Sequence, residues 1–279
     1  VELVDNEGKP TVAGKGNPSQ KRDAKNEKSG KKAPPQDPEL EKYGIYAESA
    51  PTPERGEAVE TTLPLKLEKG DRIALVGNTL LDRGGQFGFF ESMLYQTYPE
   101  LELMIRNFAW SADEVDLQPR PDNFATVTQH LTRQKIDVIF AAFGYNESFG
   151  GEEKIDEFKD RLRAYLEDIK TSAFNGEAGP RLVLISPVAN ENTEKVAAAD
   201  MNNYRIALYV KAMEEVAAEQ KVGFANVFAP TRTAMDDPDT QLTINGAHMT
   251  ADGYKVYAEQ LYSEMFQQSP PDLNEAIRE

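Results

Sequence analysis

The 279-residue sequence contains no cysteine, one tryptophan and only two histidines, His130 and His248. Without cysteine there can be no disulfide and no thiolate metal site. Neither histidine has a nearby carboxylate at a familiar metal-ligand spacing, so no metal and no cofactor is expected. Basic residues are also in short supply: 31 Lys and Arg stand against 47 Asp and Glu, a net charge of -16. An acidic excess spread along the chain opposes contact with a phosphate backbone or an anionic membrane surface, and no nucleic-acid partner is expected. No apolar run approaches the roughly 18 residues that cross a bilayer, so membrane insertion is not expected either. The opening "VELVDNEGKP" lacks the basic and then apolar character of a signal peptide, as in a cytoplasmic or an already processed chain. The glycine-rich "DRGGQFG" at 82–88 has neither G-x-G-x-x-G nor the lysine of a phosphate-binding loop, which argues against a nucleotide site there.

What is present falls into three parts. Residues 1–62 are polar, with "KRDAKNEKSGKKAPPQDPE" at their centre, and bury too little apolar surface to offset the entropy of ordering. They read as a flexible arm or linker, pinned locally at "YGIYA" (43–47). Residues 63–268 read as one α/β domain. Residues 269–279, "SPPDLNEAIRE", open a new amphipathic pattern, the start of a further segment of a longer chain.

Within the α/β part, apolar runs of strand length alternate with longer stretches at helical spacing, the signature of a βαβ succession and a parallel sheet. Five strands are expected, at 72–77, 101–109, 138–144, 181–189 and 224–229, with helices near 86–97, 123–134, 153–171, 200–220 and 250–267. Thr250 suits the N-cap of the last helix and Asp252 its dipole. Helices in this number cover both faces, giving a three-layer α/β/α domain around a five-stranded parallel sheet. In such sheets ligands bind outside the carboxyl ends of the strands. Polar, turn-forming segments collect there: "GNTLLDRG", "NFAWSADE", "GYNESFGG", "VANEN" and, before the last helix, "TINGAHMT".

Over residues 70–266 these segments resemble the SGNH, or GDSL-type, hydrolase family, whose fold is flavodoxin-like. In that family a Gly-Asp-Ser-Leu turn carries a nucleophilic serine, and a glycine and an asparagine after the second and third strands complete an oxyanion hole. Asp-x-x-His near the C-terminus supplies orienter and base. By position, Gly77-Asn78-Thr79-Leu80 occupies the first motif, with Thr79 where the serine belongs. "NFAWSAD" (107–113) is similar to the second block, with Ala109 in the glycine position and Ala112 where a second glycine is common. "GYNE" (144–147) keeps Asn146, and "NGAH" (245–248) keeps His248 but places Asn245 where the aspartate belongs. The "GNTL" turn and "FGYNES" segment are most similar to a divergent form found in large multidomain proteins of planctomycete-type bacteria. That resemblance implies further domains, an extracytoplasmic location and a small-molecule or glycan ester as partner. No haem attachment motif occurs here.

The resemblance implies Thr79, His248 and Asn245 as a catalytic set, with Thr79, Ala109 and Asn146 as oxyanion donors. A threonine hydroxyl can attack an ester with His248 as general base, although its extra methyl restricts χ1. Equally, Thr79 can cap the helix that begins near Leu81. Asn245 can orient an imidazole but carries no charge. In serine proteases the same aspartate-to-asparagine change lowers turnover by about 10⁴, about 5.5 kcal/mol at 1.36 kcal/mol per decade. Glu147, Glu191 and Asp113, each after a strand on the same sheet edge, are candidates for a substitute acid or are solvated loop acids. Asn146 offers an amide donor or forms an Asx-turn. Trp110 and Tyr145 form pocket walls, a sugar-stacking platform or plain packing, and His130 sits on a helix surface. Two functions stay open: hydrolysis of a small acyl or acetyl ester, one class being esters of carbohydrate, or a catalytically inactive binding or structural module. A dinucleotide-binding or response-regulator-like domain is a third, distant reading, because the phosphate loop and acidic cluster are missing.

Overall fold

A computed structural model describes Glu39 and residues 51–121, 124–193, 199–237 and 239–273. The chain divides into two compact units, Val1–Ala47 and Glu48–Glu279. Of the first, only Glu39, an exposed helical residue, is described. The remainder of the expected polar arm up to residue 50, including "YGIYA", lies outside the described residues, as do residues 274–279.

The second unit contains strands β1 (Glu54–Arg55), β2 (Arg72–Gly77), β3 (Met104–Asn107), β4 (Val138–Ala142), β5 (Ser172–Ala173), β6 (Arg181–Ile185) and β7 (Gly223–Ala225). Its helices are α1 (Thr79–Gly84), α2 (Phe89–Thr97), α3 (Val127–Gln134), α4 (Tyr145–Ser148), α5 (Ile155–Lys170), α6 (Ala199–Gln220), α7 (Phe228–Met235) and α8 (Ala251–Phe266). Five strands form the parallel sheet β3-β2-β4-β6-β7. Renumbered along the sheet's own strands this is the order 2-1-3-4-5, which places the topological switch, and with it the ligand crevice, between β2 and β4.

The strands alternate cleanly between two cores. Ile73, Leu75, Phe140 and Ile185 pack under α2 and α8, whereas Ala74, Val76, Ile139 and Leu184 pack under α3, α5 and α6. Helix α5 shows why it docks: Phe158, Leu162, Leu166 and Ile169 recur at helical spacing and are buried, while its charged residues lie on other faces. Each fully buried side chain of this size contributes roughly 1.5–3 kcal/mol of transfer free energy.

Three expectations shift. The compact unit begins before residue 63, because β1 pairs antiparallel with β5 and the buried Thr61 accepts the Leu182 N–H at 3.0 Å. The apolar run 224–229 is a strand only to Ala225. Phe228 then starts α7, because Ser186 Oγ, arriving from beyond β6, accepts the N–H groups of Val227 and Phe228 at 2.9 and 3.1 Å. Asp272 and Leu273 lie against the domain rather than leaving it: Gln96 Nε2 donates to the Asp272 carbonyl at 2.6 Å, and Leu273 packs on the core. Thr250 is the N-cap of α8, accepting the Gly253 N–H at 3.1 Å.

Candidate active site

At the end of β2 the chain passes unusually close to β4. Gly77 has φ of 140°, and a Cβ there would sit 2.2 Å from the Ala142 carbonyl oxygen. That approach lets the Asn78 N–H donate to the same oxygen at 3.2 Å. Asn78 then caps α1, its Oδ1 accepting the Leu80 N–H at 3.1 Å. The capping role considered for Thr79 therefore falls to Asn78. Thr79 is the first helical residue, its own N–H lacks an intrahelical partner, and its Oγ1 accepts the Ala112 N–H at 3.2 Å.

The loop after β3 is anchored by Phe108 N–H to Leu75 O at 2.8 Å and Trp110 N–H to Gly77 O at 2.9 Å. Ala109 does not aim its N–H at the cavity: that donor goes to Asn107 Oδ1 at 2.9 Å. In the same block the Ala112 N–H reaches the Thr79 hydroxyl oxygen instead. Ala112 has φ of 68°, a left-handed conformation that disfavours a residue with a Cβ by roughly 1–2 kcal/mol. Its N–H is the one that meets the Thr79 hydroxyl.

Asn146 lies in the short α4, after β4. Its Nδ2 donates to Asp113 O at 3.3 Å, and the amide's second N–H remains as a donor. His248 follows the loop before α8. Asn245 Oδ1 accepts the His248 N–H at 2.9 Å and the Ala247 N–H at 3.3 Å, which fixes which end of the amide is oxygen. His248 Nδ1 lies 3.1 Å from that Oδ1 and 3.0 Å from Asn245 Nδ2. An aspartate would accept from Nδ1–H alone, whereas this asparagine fits either imidazole tautomer. Burial holds His248 below the usual histidine range, and the nearby Arg83 guanidinium pushes the same way. The imidazole is therefore predominantly neutral at pH 7.

Thr79, Asn146 and His248 line one cavity of about 130 Å³, with Tyr145, Pro187 and Tyr254 among its walls. No hydrogen bond joins Thr79 to His248, since the Thr79 Oγ1 partner is Ala112. None of the three candidate acids partners the imidazole. Glu147 is buried and accepts the N–H groups of Gly144 and Val115 at 2.9 and 3.0 Å, with burial raising its carboxyl pKa. Glu191 accepts the Leu242 and Thr243 N–H groups at 2.7 Å each, and the Thr243 hydroxyl as well. Asp113 forms a two-pronged ion pair with Arg120, both contacts 2.7 Å. The three are fasteners: Glu147 ties α4 to the loop before Val115, Glu191 holds the segment leading to Asn245, and Asp113 locks Arg120. The proximity of Arg83 to His248 and the Ala112–Thr79 contact leave no signal in the sequence, because the first joins distant segments of the chain and the second rests on a backbone angle.

A flavodoxin-like sheet with hydroxyl, amide and imidazole groups gathered at its switch point defines an α/β domain of the hydrolase type. The sequence profile of the GDSL-like lipase/acylhydrolase family matches residues 76–256, more than half of the chain, and the chain belongs to that family. Among solved structures, a protein from Parabacteroides merdae ATCC 43184 designated a GDSL-like lipase superposes with a TM-score of 0.58 at 19% identity, over 72% of this chain and 98% of that one. An acetylxylan esterase from Geobacillus stearothermophilus gives 0.53 at 18% identity, over 72% and 96%. A single-residue variant described as an acetyl-xylooligosaccharide esterase gives 0.56 at 19%, over the same shares. At these identities the likeness is one of fold. A comparison with curated proteins finds no match.

Proposed function

We propose that the domain hydrolyses a small acyl ester, an acetyl ester of a carbohydrate, with Thr79 as nucleophile and His248 as general base, more slowly than a serine–aspartate relative. The observation that carries this reading is that Thr79, Asn146 and His248 line one small cavity, with the Ala112 N–H on the Thr79 oxygen. A 130 Å³ space suits an acetyl group better than a long acyl chain, and esterases of acetylated xylan share the fold.

In this scheme the Thr79 side chain turns and exchanges its Ala112 contact for His248. Thr79 Oγ1 attacks the carbonyl carbon as its proton passes to His248, and the C=O electron pair moves to oxygen. That oxyanion takes donors from Thr79 N–H, Ala112 N–H and Asn146 Nδ2. Collapse expels the sugar alkoxide, which recovers the proton from His248, and water repeats the sequence on the acyl-threonine. The weak point is the imidazolium, which meets a neutral Asn245 and the cationic Arg83 instead of a carboxylate.

That weakness favours a second reading, a module that retains the ester pocket without effective turnover. Hydrolysis of p-nitrophenyl acetate and of acetylated xylo-oligosaccharide separates the two. Wild-type activity lost in both Thr79→Ala and His248→Ala supports the hydrolase. An inactive wild type, with activity appearing in Thr79→Ser/Asn245→Asp, supports the binding module.

A further inference from the structure

The Trp110 loop has a second face, turned away from the catalytic cavity. There, a separate pocket of about 310 Å³ is lined by Asp82, Trp110, Arg120, Phe124 and His130, among others. Trp110 and Phe124 are 47% and 44% exposed, an unusual exposure for two large aromatics in contact. Their rings meet edge to face at 5.7 Å and 80°, forming a corner, and Phe124 stands 6.1 Å from the His130 ring. The Arg120 guanidinium lies 4.6 Å from the Trp110 ring centre. It cannot swing freely, because the buried Asp113 grips it with two 2.7 Å contacts. Asp82 is steadied from the other side by accepting the Ser111 N–H at 3.0 Å and the Ser111 hydroxyl.

We infer that this pocket is a carbohydrate subsite that holds a neutral pyranose ring of an oligosaccharide, beside the cavity that takes the ester. The exposed aromatic corner matches the C–H face of a sugar ring, and the prearranged charges match its hydroxyl edge. One anion, Asp82, and one cation, Arg120, line the same space, so neither a phosphate nor an ammonium group is favoured, while hydroxyls that both donate and accept satisfy both. Four consecutive residues connect the two pockets: Trp110 lines this one, Ser111 fixes Asp82, Ala112 reaches Thr79, and Asp113 holds both Arg120 and, through its carbonyl, Asn146. A substrate with its ester at Thr79 and its chain along Trp110 touches both sides of that loop. The link to the ester rests on the esterase reading, but the sugar site itself does not.

Trp110 is the only tryptophan in the chain, so its emission reports on this pocket alone. Titration of the full chain with unacetylated xylotetraose is expected to give a saturable change in Trp110 emission, retained in Thr79→Ala and weakened roughly two- to tenfold in Phe124→Ala, the scale of one aromatic contact. Calorimetric titration of Trp110→Ala is expected to show the binding heat lost. Both replaced side chains are about half exposed, and circular dichroism checks that the variants fold. No saturable response up to millimolar xylotetraose, or a response that Phe124→Ala leaves unchanged, overturns the subsite. Hydrolysis is a separate readout: Trp110→Ala is expected to raise KM for acetylated xylo-oligosaccharide by a larger factor than KM for p-nitrophenyl acetate. A chain that binds xylotetraose but cleaves no ester retires the esterase reading and leaves the subsite standing. A chain that cleaves p-nitrophenyl acetate without any Trp110 response does the reverse.

Discussion

At the scale of single residues, the charges around the imidazole decide what His248 can do. His248 is disfavoured as a cation by burial and by Arg83. Its pKa is shifted down, so the neutral base persists as pH falls below the ordinary histidine value of about 6.5, and protonation sets in only at lower pH. The acid limb of a kcat/KM profile is therefore expected below that value. Arg83→Gln removes the neighbouring cation and is expected to move the limb upward, towards pH 6.5; an unmoved limb would show that Arg83 does not act on the imidazole. In the proposed reaction Asn146 makes a different kind of contribution, a neutral donor to the oxyanion. Asn146→Ala is expected to lower turnover by about 10²–10³, the usual effect of deleting one oxyanion donor, with KM for p-nitrophenyl acetate little changed. A large rise in KM with turnover preserved would instead make Asn146 a ground-state binding group.

Ala112 shows how far a residue can be read from a sequence. Both Ala109 and Ala112 stand in glycine-like positions of "NFAWSAD", and the resemblance points to Ala109 as the oxyanion donor, whereas the N–H that reaches Thr79 is that of Ala112. The difference lies in backbone angles: Ala109 spends its N–H on Asn107, while Ala112 turns left-handed and presents its N–H to Thr79. Nothing in the side chain, a methyl group in both cases, distinguishes them.

At the scale of elements, continuous apolar runs made the five parallel strands legible, because strands buried on both faces need no alternation. The short elements were not legible. Strands β1 and β5 have two residues each, and "ER" and "SA" carry no pattern. The start of helix α7 is held by the Ser186 hydroxyl from beyond β6 as well as by the local Asn226 Oδ1, and the first of these is not written in the local sequence. The loop before His248 is likewise set from a distance, by Glu191 and its bonds to Leu242 and Thr243. Glu191→Gln replaces one acceptor oxygen by a donor facing backbone N–H. It is expected to cost about 1–3 kcal/mol, lowering Tm by about 2–4 °C per kcal/mol in a domain of this size. Hydrogen exchange is expected to rise first in residues 242–248. Unchanged melting and exchange would mean that the loop holds itself without the carboxylate.

At the scale of the whole molecule, the question is where the folding unit begins. Composition suggested residue 63, since "PTPERGEAVETT" is polar and lacks periodicity. Its contacts belong to the domain nonetheless: Gly56 N–H donates to Thr171 O, Glu57 O accepts from Gly179 N–H, and Thr61 N–H donates to Lys221 O, at 2.9, 2.9 and 3.0 Å. These are backbone bonds, available to almost any sequence, which is why side-chain character gave no sign of them. Gly179 fits this seam closely, since a Cβ there would fall 1.9 Å from Lys170 O. A chain of residues 51–273 is therefore expected to melt within a degree or two of the full sequence. Removing twelve more residues, to begin at Leu63, strands the buried N–H of Leu182 and breaks the β1–β5 pair. One unsatisfied buried donor alone costs about 1–3 kcal/mol, so this shorter chain is expected to lose at least about 2–4 °C in Tm. Equal melting of the two chains would mean that residues 51–62 rest on the domain without stabilising it, and would return the boundary to residue 63.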